Sequence, residues 1–402
     1  MFLENRLERL VETLSRSAAI PLRLKLWNGR SFELAPDPPV TVTIPRASAL
    51  RYFLAPDLNQ LGEAYVEGRI DVEGPVHAVF RAAESYARQA ADKVAPGPRR
   101  FFRHGKVRDR KAIEHHYDVS NDFYRLFLDA GMVYSCAYFR NDDDTLEQAQ
   151  EQKLDHILRK LLVKPGDRLL DIGCGWGALI LRAAKKYGAI ATGITLSRRQ
   201  CEYVGRRIAE EGLEGRCEVR LQDYRDEPGE RVYDKISSVG MFEHVGVKNL
   251  RGYFGHIRRL LKDGGLTLNH GITATDPDSR WVGMGAGQFI HRYVFPHGEL
   301  PHVSVVLGEM ARAGLEVADV ESLRRHYART CHEWATRIDA NRDAAIAAAG
   351  VKRFRIWQIY LAGCAHGFAH GWMNIYQMLA CKAGGAGFDF LPLTRDYMYR
   401  AA

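Results

Sequence analysis

The sequence predicts a doubly wound α/β domain with a parallel core, preceded by a small α+β module. Three observations carry that reading: strand-like and helix-like segments alternate from Arg168 onward, a glycine-rich run falls where the first strand of that series meets its helix, and a Pro/Gly break with a basic run separates an earlier module. At 402 residues the chain exceeds the usual size of one hydrophobic core, so two domains are expected.

The first module is assigned to residues 1–92. Leu3, Leu7, Leu10 and Leu14 follow helical spacing, Leu22–Trp27 and Val40–Ile44 alternate as strands do, and helices are expected around 47–86. Ala95–Pro98 (APGP) then breaks regular structure, and Lys93–Lys111 carries eight basic residues against Asp109 alone, so 93–111 reads as a basic linker. With Phe101 and Phe102 inside it, the run suits an anionic membrane surface, where each Lys or Arg beside acidic headgroups contributes about 1 kcal/mol. It fits a solvated linker equally well. No nucleic-acid motif accompanies it, so no nucleic-acid partner is expected.

The second domain is assigned to 112–402. Leu146, Leu154, Ile157 and Leu161 have helical spacing, and Pro165-Gly166 turns the chain into the apolar strand Arg168–Ile172. A helix (Ala178–Tyr187), a strand (Ala189–Thr195), a helix (Arg198–Glu211), a strand (Glu218–Leu221), a strand-like run (Tyr233–Val239) and a helix (Leu250–Lys262) follow. Ala344–Ala349 reads as a short helix. Tyr360, Cys364, Phe368, Trp372 and Tyr376 recur every four residues, which predicts one core helix through all five. Trp281–His302 fits no βα alternation and is expected to cap the cleft.

No run of about 18 apolar residues occurs, and Met1–Ile20 carries three acidic and three basic side chains, unlike a signal peptide. A cytoplasmic protein is expected. The seven cysteines are odd in number and scattered, without CxxC or Cys/His spacing, which argues against a disulfide framework and a metal site.

Asp171-x-Gly173-x-Gly175-x-Gly177 lies where an α/β sheet binds ligands, outside its strand carboxyl ends. The spacing is GxGxG rather than GxGxxG, and the second strand ends in Thr195-Leu196-Ser197, without the acid that grips an NAD ribose. Both features favour S-adenosylmethionine, so the domain is read as a Rossmann-like, class I S-adenosylmethionine-dependent methyltransferase domain. Gln200 is placed to hold ribose hydroxyls and Asp223, beside Gln222, to accept from the adenine amino group. Gln222 and Asp223 read equally as loop-capping residues.

His116-Tyr117-Asp118 with Asn121-Asp122-Phe123-Tyr124, Tyr134–Phe139 (YSCAYF), Leu169–Gly177 (LLDIGCGWG), Thr195-Leu196-Ser197 and Gly240–Gly246 (GMFEHVG) resemble the cyclopropane-fatty-acyl-phospholipid synthases and the related mycolic acid cyclopropane synthases. The similarity runs from about Leu61 to about Lys382. The resemblance implies methyl transfer from S-adenosylmethionine to the cis double bond of an unsaturated phospholipid acyl chain, followed by proton loss to close a cyclopropane. It implies a bicarbonate ion as base, held by Cys136, Glu243, His270, the backbone of Ile272, and Tyr327, with Tyr134 and Ser135 joining the cofactor site. It further implies self-association through the first module; with a lipid substrate, the basic run Lys93–Lys111 is expected to hold the protein peripherally at the inner membrane face, and Trp281–His302 to form part of an acyl-chain tunnel.

Those residue types suit the chemistry. An alkene must be aligned with the methyl donor and its cation kept dry, and aromatic faces suit that cation. A bound anion beside Glu243 requires a shared proton or a charged His270, since two bare anions repel; a shared-proton network is expected. An acid amid Val239, Met241, Phe242 and Val245 is costly to bury without a partner. His270 also reads as a core histidine, Cys136 as a buried thiol and Tyr327 as a packing aromatic, while His244 reads as a structural neighbour of Glu243. The family has been considered to carry an active-site thiol at the position of Cys364, although the chemistry needs no covalent sulfur. The rival readings are a C-methyltransferase of acyl chains giving a methyl or methylene product, and a non-catalytic lipid-binding protein, which the intact glycine loop disfavours.

Overall fold

Alternation in Leu22–Leu26 (β1) and Val40–Ile44 (β3) puts Leu22, Leu24, Leu26, Val40, Val42 and Ile44 inside, and the two strands pair in parallel. The computed structural model describes residues 8–9, 11–12, 20–54, 58–90, 120–277, 286–295, 298–382 and 391–399. Leu3, Leu7, Leu10 and Leu14, the basic run Lys93–Lys111 and the His116-Tyr117-Asp118 motif lie outside them. Two short strands that the sequence did not signal, Ser31–Glu33 (β2) and Asp71–Glu73 (β4), complete a sheet of order β2-β1-β3-β4. At three residues each they are too short to show a period. The helices Leu58–Val66 and Val76–Ala90 accompany this sheet, and Leu61, Ala64, Tyr65, Ala78, Ala82 and Tyr86 join its core.

The second sheet contains Arg168–Ile172 (β5), Ile190–Thr195 (β6), Cys217–Leu221 (β7), Tyr233–Val239 (β8), Leu261–Ala274 (β9), Leu315–Ser322 (β10) and Met373–Lys382 (β11), in the order β10-β11-β9-β8-β5-β6-β7. Strands β5 to β9 pair in parallel, whereas β11 runs antiparallel to both β9 and β10. The strand order reverses at β5, whose carboxyl end opens into the crevice where such sheets hold ligands. This is the expected doubly wound α/β fold.

The helices Leu146–Lys160, Ala178–Tyr187, Arg198–Glu210 and Arg342–Ala349 stand where the sequence put them. The helix from Leu250 stops at Leu260 rather than Lys262, because Leu261 already starts β9 and pairs with Tyr233. A larger correction concerns Tyr360–Tyr376. The helix Val351–Ala369 carries Tyr360, Cys364 and Phe368, but Gly371 turns the chain at φ +73°, and Tyr376 lies in β11. Eight of the ten residues from Met373 to Lys382 are buried, and from Gln377 to Lys382 every residue is, so alternation is confined to the first five residues and is too short to set against the helical spacing.

Of the segment expected to cap the cleft, residues 281–285 and 296–297 lie outside the described residues. The helix Ala286–Tyr293 packs against Leu58–Val66: a Cβ on Gly62 would stand 3.2 Å from the Phe289 ring, and the Tyr293 hydroxyl donates to Glu67 at 3.2 Å. Phe289 therefore faces the amino-terminal helix. The helix Val351–Ala369 ties the two sheets' cores together, with Gln358 accepting from Tyr65 at 2.6 Å and Arg355 pairing with Asp71 at 2.9 Å.

Candidate active site

The glycine run forms the wall of a cleft at the end of β5. Gly173 and Gly175 line it with φ +79° and +54°, and a Cβ on Gly175 would meet nothing within 4 Å, so the backbone there is open to a ligand. All the residues expected to touch the cofactor line this cleft except Gly177. Gly177 instead caps the helix Ala178–Tyr187 at φ +83°, and a Cβ there would come within 2.7 Å of Val204 on the next helix. That gives Gly177 a role in close packing between helices. Trp176 in the same loop donates to Asn121 at 3.0 Å and packs 4.8 Å from the Tyr124 ring, so the NDFY motif braces the loop from behind.

Across the cleft, Thr195 donates to Gln200 Oε1 at 2.8 Å, which leaves the Gln200 amide N–H groups for a ligand. Asp223 caps the turn Tyr224–Asp226 and pairs with Arg225 at 2.7 Å, and Gln222 donates to Glu227 at 2.6 Å. Both therefore line the cleft and hold their own loop together, so the two readings of these residues are joined in one arrangement. Asp171 accepts from Ser237 at 2.7 Å, and burial raises its carboxyl to about 6.

Tyr134–Cys136 is held by the helix Leu146–Lys160, whose Thr145–Gln148 capping box fixes its start. Buried Gln150 donates to the carbonyls of Val133 and Ser135 at 3.2 and 2.9 Å, and buried Lys153 donates to Ser135 Oγ at 2.8 Å. On the other side Thr330 and His326 accept from the backbone N–H groups of Ala137 and Phe139, both at 3.1 Å, which fastens this segment to the helix Arg324–Ala340 carrying Tyr327.

Beside the cleft, the turn Phe242–His244 brings Glu243 to β9. Glu243 Oε1 accepts from the Ile272 N–H at 2.7 Å, while its Oε2 is buried with no partner. Burial pushes this carboxyl up to about 7, against the pull of the Ile272 N–H. His270 and Ile272 share one face of β9, the face opposite Gly271, whose Cβ would run into Phe242. Burial, then Lys153, pushes the His270 imidazole down to about 3, so it is neutral. Its Nδ1 lies 3.2 Å from Gln377 Nε2, and its Nε2 is buried without a partner. The ring proton sits on Nε2 where the Gln377 amide donates to Nδ1, and on Nδ1 where Gln377 Oε1, itself buried without a partner, accepts from it.

Cys136 and Tyr327 lie in the same core, and burial raises both. The Cys136 thiol is directed at the Ala137 carbonyl, 3.2 Å away. Tyr327 joins an aromatic group, 4.6 Å from Phe368 and 6.0 Å from Trp334, with Tyr134 a further 5.2 Å from Trp334. Cys364 is buried, and burial holds its thiol up at about 12. A thiol that stays protonated at neutral pH is a poor nucleophile, so Cys364→Ser is expected to keep lipid turnover, measured by fatty-acid analysis, within about threefold of the parent.

Sequence reasoning missed Gln150, Lys153 and Gln377. Lys153 carried a signal, because it interrupts the apolar stripe Leu146, Ala149, Ile157 on its helix. Among the described residues no helix is long and apolar enough to cross a membrane.

Residues 104–378 match the family model described as mycolic acid cyclopropane synthetase, and 9–93 match a family of unknown function. A protein of Pseudomonas putida named "Probable fatty acid methyltransferase" is 47% identical over 385 residues, covering 96% of this chain and 98% of its own length. Cyclopropane mycolic acid synthase 1 of Mycobacterium tuberculosis is 39% identical over 281 residues, 67% of this chain and 96% of that protein. The solved mycolic acid cyclopropane synthase CmaA1, complexed with SAH and CTAB, superposes with a TM-score of 0.65 at 37% identity, over 68% of this chain and 98% of that one. The open glycine backbone, the remaining Gln200 amide and the fold all fit the cofactor inferred from the loop. The chain belongs to the mycolic acid cyclopropane synthetase family of S-adenosylmethionine-dependent methyltransferases.

Proposed function

We propose that this protein converts the cis double bond of an unsaturated phospholipid acyl chain to a cyclopropane, with bicarbonate as the base, at the inner face of the membrane. The observation that carries the reading is the pair of buried, unpartnered polar atoms beside the cleft, Glu243 Oε2 and His270 Nε2. Polar atoms buried without partners are rare in proteins, and a small oxyanion bound at both would satisfy them.

The cofactor, when bound, supplies an electrophilic methyl group. The protein's own contribution begins with alignment: the YSCAYF segment, held by Gln150 and Lys153, sets Tyr134 at the junction of cleft and aromatic core. The faces of Tyr134, Tyr327 and Trp334 then favour positive charge developing on the lipid while excluding water. Bicarbonate is assigned to the unpartnered atoms of Glu243 and His270, with Tyr327 as a further ligand from the family likeness, and would supply the basic oxygen there. Of the two ways to hold an anion beside Glu243, burial favours one. His270 is neutral and donates from Nε2 in the tautomer in which Nδ1 accepts from Gln377, and Glu243, with a carboxyl near 7, keeps a proton to share. The Ile272 N–H is already engaged by Glu243, so its support for the ion is indirect.

Phe295 stands 6.0 Å from Tyr360 and 5.4 Å from His244, which lines the cleft. That position supports a wall of the acyl tunnel. Phe295→Ser is expected to lower lipid turnover at least about tenfold while changing SAH affinity by less than about threefold; equal losses in both would remove it from the tunnel. Lys93–Lys111 remains the proposed membrane contact, and self-association through the amino-terminal module is proposed from the family likeness.

A second reading, a C-methyltransferase of acyl chains, is favoured by the Pseudomonas putida relative, which matches both modules. One experiment separates the two. The protein is incubated with S-adenosylmethionine and vesicles of unsaturated phospholipid, with and without bicarbonate, and the fatty acids are identified by mass spectrometry. A bicarbonate-dependent cyclopropane product is expected. A methylene-branched product independent of bicarbonate selects the second reading, and unchanged fatty acids reject both.

A further inference from the structure

We propose that Lys153 is the positioning cation for the α-carboxylate of S-adenosylmethionine, acting through the hydroxyl of Ser135. Lys153 lies on the buried stripe of the helix Leu146–Lys160, is 2% exposed and lines the cleft together with Ser135. Its ammonium donates to Ser135 Oγ at 2.8 Å. Because that oxygen accepts from Lys153, the Ser135 proton is directed to a second acceptor.

What makes this lysine point to a ligand is its missing counter-ion. Among the described residues no carboxylate lies within ion-pair distance of it. The carboxylates whose fields reach it are Asp129 and Asp171, and each is committed elsewhere. Asp129 accepts from the N–H groups of Gly131 and Val133 at 2.8 and 3.0 Å, and Asp171 accepts from Ser237 at 2.7 Å. Burial consequently pulls the ammonium down to about 8, only partly opposed by Asp129, Cys136 and Asp171. A buried cation lacking a partner is costly to maintain, and this one borders a cleft whose ligand has a single anionic group.

The adenine and ribose of that ligand are neutral, and its sulfonium and α-ammonium are cationic, so only the carboxylate complements Lys153. The cleft's other strong cation, Arg225, is already paired with Asp223 at 2.7 Å. Charge complementarity thus sets the orientation of the amino-acid tail toward the helix Leu146–Lys160, leaving the nucleoside for Gln200 and the loop at Gln222-Asp223.

The test uses binding, not turnover. Calorimetric affinities of the full-length protein and Lys153→Met are measured for S-adenosylhomocysteine and for its decarboxylated analogue, which keeps every other group. A charge-assisted hydrogen bond corresponds to roughly 10- to 100-fold in affinity. Lys153→Met is therefore expected to weaken S-adenosylhomocysteine by that factor and the decarboxylated analogue by less than about twofold. Equal weakening of both ligands would show a structural role and overturn the proposal. Should the variant fail to fold, the parent protein decides. Its preference for the carboxylated ligand is expected to be constant below pH 8 and to fall as pH rises above it, the ammonium of the free protein losing its proton near that value. A preference below about twofold, or one unchanged up to about pH 9.5, overturns the proposal.

Discussion

Glu243→Gln is expected to abolish most turnover and, above neutral pH, to make the protein more stable. Glutamine keeps the shape of the side chain and can still accept from the Ile272 N–H, so the turn and the cleft beside it are preserved. What is lost is a proton that can be shared with a bound anion, and loss of a positioned acid–base group typically costs about 10²- to 10⁴-fold in rate. Affinity for S-adenosylhomocysteine, measured by calorimetry, is expected to stay within about threefold. The stability arm follows from linkage. The Glu243 carboxyl is raised by burial from 4.5 to about 7, so the folded state binds its proton more tightly than the unfolded protein does. The stability this gives is fully present below 4.5 and is lost as pH rises to about 7, a change of about 3 kcal/mol across the window. Glutamine mimics the protonated form and loses nothing. The gap in denaturation free energy between variant and parent should therefore widen from pH 4.5 to about 7 and level off above it. A pH-independent gap would remove the raised carboxyl, and retained turnover would remove Glu243 from the chemistry.

The residues that were legible from sequence are those whose local chemistry and tertiary role agree. Arg168–Ile172, the glycines after it and Ala178–Tyr187 form strand, turn and helix in the order their periods and turn residues dictate. Gly177 was legible as a glycine but not as a packing glycine, because nothing in the run distinguishes space needed by a ligand from space needed by Val204. Tyr376 was misplaced because the four-residue aromatic spacing continues by coincidence past Gly371, and the strand's alternation, confined to Met373–Gln377 before a run buried throughout, is too short to oppose it. Glu243 was legible through the cost of burying an acid among apolar neighbours. Gln377 was not, since its meaning comes from the register that sets it opposite His270, and register is a long-range property of β9 and β11. The electrostatics of the site were half legible: the residue types already favoured a shared proton over a charged His270, whereas the raised Glu243 carboxyl and the neutral His270 ring come from their burial.

Gly271→Ala is expected to damage fold and chemistry together, because one methyl group there has nowhere to go. A Cβ at Gly271 would lie 2.0 Å from Phe242 Cε1 and 2.5 Å from Cδ1, well inside contact distance. The backbone cannot yield, since β9 is paired on one side with β8 through Val239 and His270 and on the other with β11, where Gly271 faces Tyr376. Phe242 must move instead, and it is 1% exposed within a packed cluster. Overpacking of this kind costs roughly 1–3 kcal/mol, which a lowered Tm would report. Phe242 also belongs to the turn that carries Glu243, so its displacement shifts the carboxyl from Ile272. A misplacement near 1 Å can cost about 10² in rate, and turnover should fall by at least that factor while S-adenosylhomocysteine binding falls less. The decisive control is Phe242→Leu in the same background, which removes part of the obstructing ring. If steric displacement is the cause, the double variant recovers more stability than the separate effects would sum to. An unchanged Tm in Gly271→Ala, or strictly additive losses in the double variant, would show that the fit of Phe242 against this glycine does not fix Glu243 in place.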